Sequence, residues 1–120
     1  MYVQKRNYGA FLQSVKVNVG KECGMENEED AFITLRELPT LEMMNLREAY
    51  EKGQKELIMF FKEVLPKIII DHNFYEDENK RMTNDALANL VFERMELSSK
   101  VIGEYSQASF FTQAKESEEK

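Results

Sequence analysis

Residues 32–49 read FITLRELPTLEMMNLREA, and the periodicity changes halfway along. Phe32, Thr34 and Arg36 alternate with Ile33, Leu35 and Glu37, the period-two pattern of a half-buried strand. Beyond Thr40 the spacing is helical: Leu41, Met44 and Glu48 fall on one line, with Met43, Leu46 and Tyr50 beside it. Between the two patterns stands Pro39, which has no donor for a ladder and pushes Leu38 into extended geometry. Thr40 then has the chemistry of an N-cap, with its hydroxyl in reach of the Glu42 or Met43 N–H. Glu42 adds an anion where the helix dipole favours one. A strand that passes directly into a helix predicts an α+β chain.

Upstream, FLQSVKVNV alternates Phe11, Val15, Val17 and Val19 with Leu12, Lys16 and Asn18. Strands over about 9–19 and 31–37 are expected to pair as a hairpin across a loop at 20–30 that carries two glycines and the acidic run ENEED. A lone hairpin is marginal in water, so it must pack on the helices that follow. The first helix is expected over about 41–52, ending at Gly53. A second spans about 54–70 with Leu57, Phe61, Val64, Leu65 and Ile68 on one face, and Pro66 predicts a kink or break near 62–65. Residues 71–82 read as a polar connection. Thr83 caps a third helix over about 84–105, whose stripe is Leu87, Leu90, Val91, Met95, Val101, Ile102 and Tyr105. The expected architecture is a β-hairpin on a three-helix body within one domain, 1–111, followed by a disordered polar and acidic tail, 112–120.

Composition narrows the function classes. A chain of 120 residues with 42% apolar residues has enough hydrophobic content for a core. Sixteen basic against 22 acidic residues leave a net charge of −6, the wrong sign for neutralising phosphates, so no nucleic-acid partner is expected. The N-terminal residues lack the apolar stretch of a signal peptide, and the apolar run 57–70 is broken by charges and too short to span a bilayer. A cytoplasmic protein with no membrane partner is expected.

Catalytic chemistry finds few anchors. The lone Cys23 has no neighbouring pattern that would make it a nucleophile. His72 follows Asp71, a base beside an orienting acid, yet no nucleophile can be assigned to the pair, and a solvated surface pair is the simpler reading. Asp71 and Asn73 also resemble the start of a calcium loop, but Tyr75 stands where an oxygen ligand belongs and the turn glycine is missing. Zinc spacings and glycine-rich phosphate loops are absent as well. No enzyme activity, metal or cofactor is expected.

Apolar surface offers more. The second helix also carries Ile58, Met59, Phe60, Ile69 and Ile70, so it is apolar around most of its circumference. Such a helix is central, or one of its sides is covered by something else. Met43 and Met44 are adjacent, so one face cannot bury both, and methionine suits surfaces that adapt to varied apolar partners. Phe110 and Phe111 would expose a large apolar patch unless docked.

The strand ending LRELPTLEMMNL, followed by a small helical body and a polar tail, resembles the tail assembly chaperones of long-tailed bacteriophages and prophages. The matching residues are Phe32, Thr34, Leu35, Arg36, Glu37 and Leu38, then Thr40, Glu42, Met43 and Met44. The helical body from 57 to 105 agrees in length and class, and residues 1–30 lie outside the resemblance. It implies a non-enzymatic protein of the host cytoplasm, absent from the mature virion. Such a protein binds the apolar helical tape-measure protein, keeps it soluble, recruits tail-tube subunits and self-associates into a homo-oligomer. Helix-in-groove docking is the expected mode. The candidate client or oligomer contacts on the first helix are Met43, Met44, Leu46 and Tyr50. Ile58, Met59, Phe60 and Ile69 on the second helix, with Phe110 and Phe111, complete the set. The alternative is a small acidic regulatory adaptor for a basic, nucleic-acid-binding protein, with Glu26, Glu28, Glu29 and Asp30 sharing a face with Glu76, Asp77 and Glu78.

Overall fold

The computed structural model describes residues 13–108. Strands β1 (Ser14–Asn18) and β2 (Phe32–Arg36) pair antiparallel, from Ser14 opposite Arg36 to Asn18 opposite Phe32. Ile33 and Leu35 are fully buried, while Phe32, Thr34 and Arg36 lie on the outer face, as the alternation requires. On that face the Lys16 ammonium lies 4.4 Å from the Phe32 ring centroid, its stem covering apolar surface while its charge faces the ring. The part of the expected first strand before residue 13, the tail at 112–120, and both Phe110 and Phe111 fall outside the described residues.

The loop from 19 to 31 folds back on itself. Val19 N–H donates to the Ala31 carbonyl and Gly20 N–H to the Glu28 carbonyl, both at 2.8 Å, around two 3-10 turns at Lys21–Cys23 and Glu28–Asp30. Gly20 is there because of space. A Cβ at that position would overlap the Asn27 carbonyl oxygen and come within 2.7 Å of the Glu28 carbonyl oxygen. Both obstacles are backbone, which cannot swing aside like a side chain. Gly20→Ala is therefore expected to cost about 1–3 kcal/mol of stability, measurable by urea denaturation. The neighbouring Gly24→Ala would act through its left-handed φ of 82° alone, because nothing lies within 4 Å of its Cβ position.

Helix α1 (Thr40–Lys52) begins one residue earlier than expected, with Pro39 as N-cap and no side-chain cap bond. Thr40 is thus the first helical residue rather than the cap, and the Pro39 carbonyl accepts the opening bond from Met43 N–H at 2.9 Å. Gly53, at φ 134° and ψ 173°, makes the corner into helix α2 (Gln54–Ile68), a conformation that only glycine adopts without strain. Pro66 does not break α2. It sits in the last turn, where its missing donor removes one bond near the helix end.

The expected helix 54–70 stops at Ile68, and Ile69–His72 form β3, which pairs antiparallel with the free edge of β2. The hairpin is therefore a three-stranded sheet in the order β1-β2-β3, with β2 central. Isoleucine at 68, 69 and 70 packs as well on a pleat as on a helix, and the terminating proline has already weakened the helix there. The carbonyls of Pro66 and Ile69 accept from the Asn84 amide at 3.3 and 3.0 Å, so the turn out of the helix is satisfied by a side chain from the next one.

The polar connection contains a small hairpin, β4 (Tyr75–Asp77) with β5 (Lys80–Arg81). The expected third helix is two: α3 (Asn84–Glu93), capped by the Thr83 hydroxyl accepting from Ala86 N–H at 3.1 Å, and α4 (Met95–Ser106). Arg94, extended at φ −124° and ψ 120°, separates them. The core lies between the inner face of the sheet and the four helices, with Val17, Ile33, Leu35, Leu46, Phe61, Leu65 and Tyr105 among its fully buried side chains.

Candidate functional site

The ten expected contact residues separate into three groups. Met43, Leu46 and Ile69 are buried in the core and are removed from any docking surface. On α1 the inward line is Met43, Leu46 and Ala49, so of the two adjacent methionines Met43 turns in and Met44 turns out. Ile69 is buried because the chain has already left the helix and entered β3, whose inner side meets the core. Met44, Tyr50 and Met59 are exposed, and Ile58 and Phe60 are half-buried. Phe110 and Phe111 lie outside the described residues.

Met44 and Ile58 line two different features. Met44 joins Leu41, 69% exposed, on the outer side of α1 beside Asn45, Arg47, Glu48 and Glu51, a shallow depression with a charged margin. Ile58 faces a different feature, a groove of about 440 Å³ between the N-terminal half of α2 and the corner where α3 meets α4. Its apolar lining is Leu57 and Ile58 from α2, Phe92 from α3, and Met95 and Ile102 from α4; Gly103 exposes helix backbone at one end. Gln54, Glu93, Ser98 and Ser99 supply polar groups.

Met95 is the residue that the sequence reading misplaced. In one continuous helix it belongs to the buried stripe, but the break at Arg94 makes it the first residue of α4, 82% exposed at the groove. No glycine or proline marks that break in FERMELSS. Within α4 the Ser98 hydroxyl donates to the Met95 carbonyl at 3.1 Å, a back-bond to the preceding turn that marks no boundary in the sequence. Gly103 also stands out. It sits inside α4, where glycine costs helix stability, and nothing lies within 4 Å of where its Cβ would be.

The charged clusters are mostly occupied with holding the fold. Glu28 accepts from Lys21 N–H at 3.1 Å, and Lys100 lies 3.9 Å from Glu28 and 3.2 Å from Glu104, joining the 19–31 loop to α4. Burial, and then a hydrogen bond with Glu28, raise the Glu22 carboxyl above its ordinary value. Asp30 accepts from Asn27 N–H, Glu76 pairs with Lys80 at 3.0 Å, and Asp77 accepts from Asn79 N–H at 2.9 Å. Cys23 is half-buried, and burial pushes its thiol up, away from the reactive thiolate.

His72 and Asp71 are not a solvated pair. His72 is buried, and both of its ring nitrogens are engaged by the backbone. Asp71 is exposed and bonded to Arg81 at 2.9 Å and to the His72 N–H. With the hairpin closed both ring nitrogens are occupied, and Asp71 meets the His72 backbone rather than its ring, so the base-and-acid dyad is not assembled. Among the described residues, no group of three or more His, Cys, Asp or Glu is placed to hold a metal ion. No helix among them is long and apolar enough to cross a membrane. No protein-family model matches the chain, and neither a curated protein nor a solved structure is significantly similar to it.

Proposed function

We propose that this protein is an assembly chaperone for an apolar helical client, the tape-measure protein of a long-tailed bacteriophage or prophage. The observation that carries the reading is the groove between α2 and α4, which has an apolar floor, an exposed methionine at its margin and a glycine that leaves helix backbone uncovered. A groove of this kind suits an amphipathic helix, whose large apolar side chains fill the floor while its polar side stays in water. Methionine at the margin tolerates variation in the incoming side chains, which a client with many similar segments requires. Several copies, self-associated along the client, shield its apolar stripe in the host cytoplasm, and their net charge of −6 keeps the loaded complex dispersed. Tail-tube subunits are the second partner in this scheme.

The test is co-expression with a tape-measure fragment that is insoluble alone. The fragment is expected in the soluble fraction, bound to the protein; a fragment that stays insoluble with the protein at several-fold excess rejects the reading. Salt separates it from the acidic-adaptor alternative. Binding through apolar contacts survives 0.5 M salt, whereas binding of a basic partner to acidic residues weakens steeply. The adaptor reading has less support, because Glu28, Asp30, Glu76 and Asp77 are already engaged in local contacts.

A further inference from the structure

His72 has a conformational role that the groove does not use. It stands at the end of β3, immediately before the β4–β5 hairpin, and its ring fastens both ends of that hairpin to the body. On the entering side, Phe74 N–H donates to Nδ1 at 3.0 Å. On the leaving side, Nε2 lies 3.0 Å from the Met82 carbonyl, a contact that requires Nε2 to carry the hydrogen. Both bonds hold together only in the neutral imidazole with its proton on Nε2. Around the ring the hairpin is closed further by Met82 N–H donating to the Phe74 carbonyl at 3.0 Å and by Arg81 donating to the His72 carbonyl at 2.9 Å. The Phe74 ring packs 6.2 Å from the imidazole and partly against the core.

The geometry points to a proton-operated latch, in which neutral His72 holds the 73–82 hairpin closed and a proton taken up from solvent at Nδ1 releases it. The proton would face the Phe74 N–H, donor against donor, and the bond at the entrance to the hairpin would be lost. The charged groups acting on the ring are Arg81 on β5, which opposes protonation, and Asp71 on β3, which favours it. They are bonded to each other at 2.9 Å, so each offsets the other. Ile33 of β2, the position paired with His72, is uncharged. Burial is the larger effect, and with Arg81 it lowers the folded-state pKa below the ordinary histidine value.

The sign follows by linkage. The open hairpin exposes an ordinary histidine, which binds its proton near pH 6.5, while the closed hairpin resists it. The latch is therefore at full strength above about pH 6.5 and weakens as pH falls towards the depressed value, below which it weakens no further. Within that window the opening constant of the hairpin is expected to rise about tenfold per pH unit, the dependence of a single proton.

Amide hydrogen exchange of Phe74 and Met82 in the full chain, corrected for intrinsic exchange rates, reads this directly. Both amides are expected to lose protection together between pH 7 and 5, while the amides joining β1 to β2 keep theirs. Nitrogen-15 shifts of the imidazole are expected to show the Nε2–H form at pH 7.5 and a titration midpoint below 6.5. In His72→Asn the side-chain oxygen can still accept from Phe74 N–H without titrating, so the pH dependence of hairpin opening should vanish. Flat exchange in the wild-type chain overturns the latch, as does an imidazole midpoint at or above 6.5. Unchanged pH dependence in His72→Asn would do so too, and the two wild-type measurements decide the matter if that variant does not fold.

Discussion

Phe61→Ala is expected to remove about 3–5 kcal/mol of unfolding free energy, a large share of the roughly 5–15 kcal/mol typical of a domain. Phe61 has no solvent exposure and stands edge-on to the Tyr105 ring, with centroids 5.4 Å apart and planes at 89°. That contact is where α2 and α4 meet. Tyr105 in turn donates its hydroxyl to the Arg36 carbonyl at 2.9 Å, tying α4 to the end of the central strand. Burial pushes the phenol well above its ordinary value, so it remains a donor throughout the working pH range. Removing the Phe61 ring leaves a cavity bounded by two helices and a sheet, and rigid elements close such a space poorly. Tyr105→Phe keeps the ring and loses only the hydroxyl, so its cost is smaller, about 1–3 kcal/mol for a carbonyl left without that donor. The two losses should not add, because the second variant alters a partner of the first. Urea denaturation of the wild type, the two single variants and the double variant measures this. A Phe61→Ala loss no larger than that of the exposed Met59→Ala, which should fall within about 0.5 kcal/mol, would show that the α2–α4 contact does not carry the fold.

How much of this was legible in the sequence depends on how long each pattern runs. β1 and β2 declare themselves because alternation continues over five residues each and one face of each turns to the core, fully buried at Ile33 and Leu35 of β2 and at Val17 of β1. Gly53 marks the corner between α1 and α2 because no other residue type fits its dihedrals without strain. β3 did not declare itself. Isoleucine at 68, 69 and 70 continues the apolar face of α2 as readily as it starts a strand, and the choice was made by a distant edge, the open side of β2. The hairpin at 75–81 is shorter still, with charged residues on both strands, and depends on His72 and Arg81 reaching into its base.

The excess of apolar residues on the expected second helix and the adjacent methionines leaves Met44, Met59 and Ile70 exposed outside the core. Met43 falls on the inward line of Leu46 and Ala49, whereas Met44, 100° further round, falls on the outer side with Leu41; with apolar residues on both sides of the helix, periodicity alone does not say which side faces the core. It also placed Met95 inside, since the stripe Leu87, Val91, Val101, Tyr105 runs on as though the helix were continuous. Arg94 breaks the helix with no breaker residue, so that outcome belongs to tertiary packing alone.

Met95→Glu is expected to lower client affinity by roughly tenfold to a hundredfold while leaving stability nearly unchanged. A buried methionine side chain contributes about 1.5–3 kcal/mol when fully removed from water, and each 1.4 kcal/mol is a factor of ten in binding. In the free protein Met95 is 82% exposed, so the folded chain has little to lose, about 0.5 kcal/mol at most. Leu41→Glu on the outer side of α1 is the matched control, equally exposed in kind but outside the groove. If Leu41→Glu weakens binding and Met95→Glu does not, the client sits on α1 and the groove assignment is wrong. Gly103→Ala sharpens the comparison, because its two effects point in opposite directions. With nothing within 4 Å of the new methyl group, the substitution should raise helix stability by up to about 1 kcal/mol. A client helix seated against bare backbone at Gly103 would meet that same methyl group and bind more weakly. Thermal unfolding and titration of a fluorescent amphipathic peptide from the client separate the two quantities. A variant that is more stable and binds less well shows that α4 tolerates its glycine for the sake of the groove; a variant that gains stability and binds as before leaves Gly103 outside the contact.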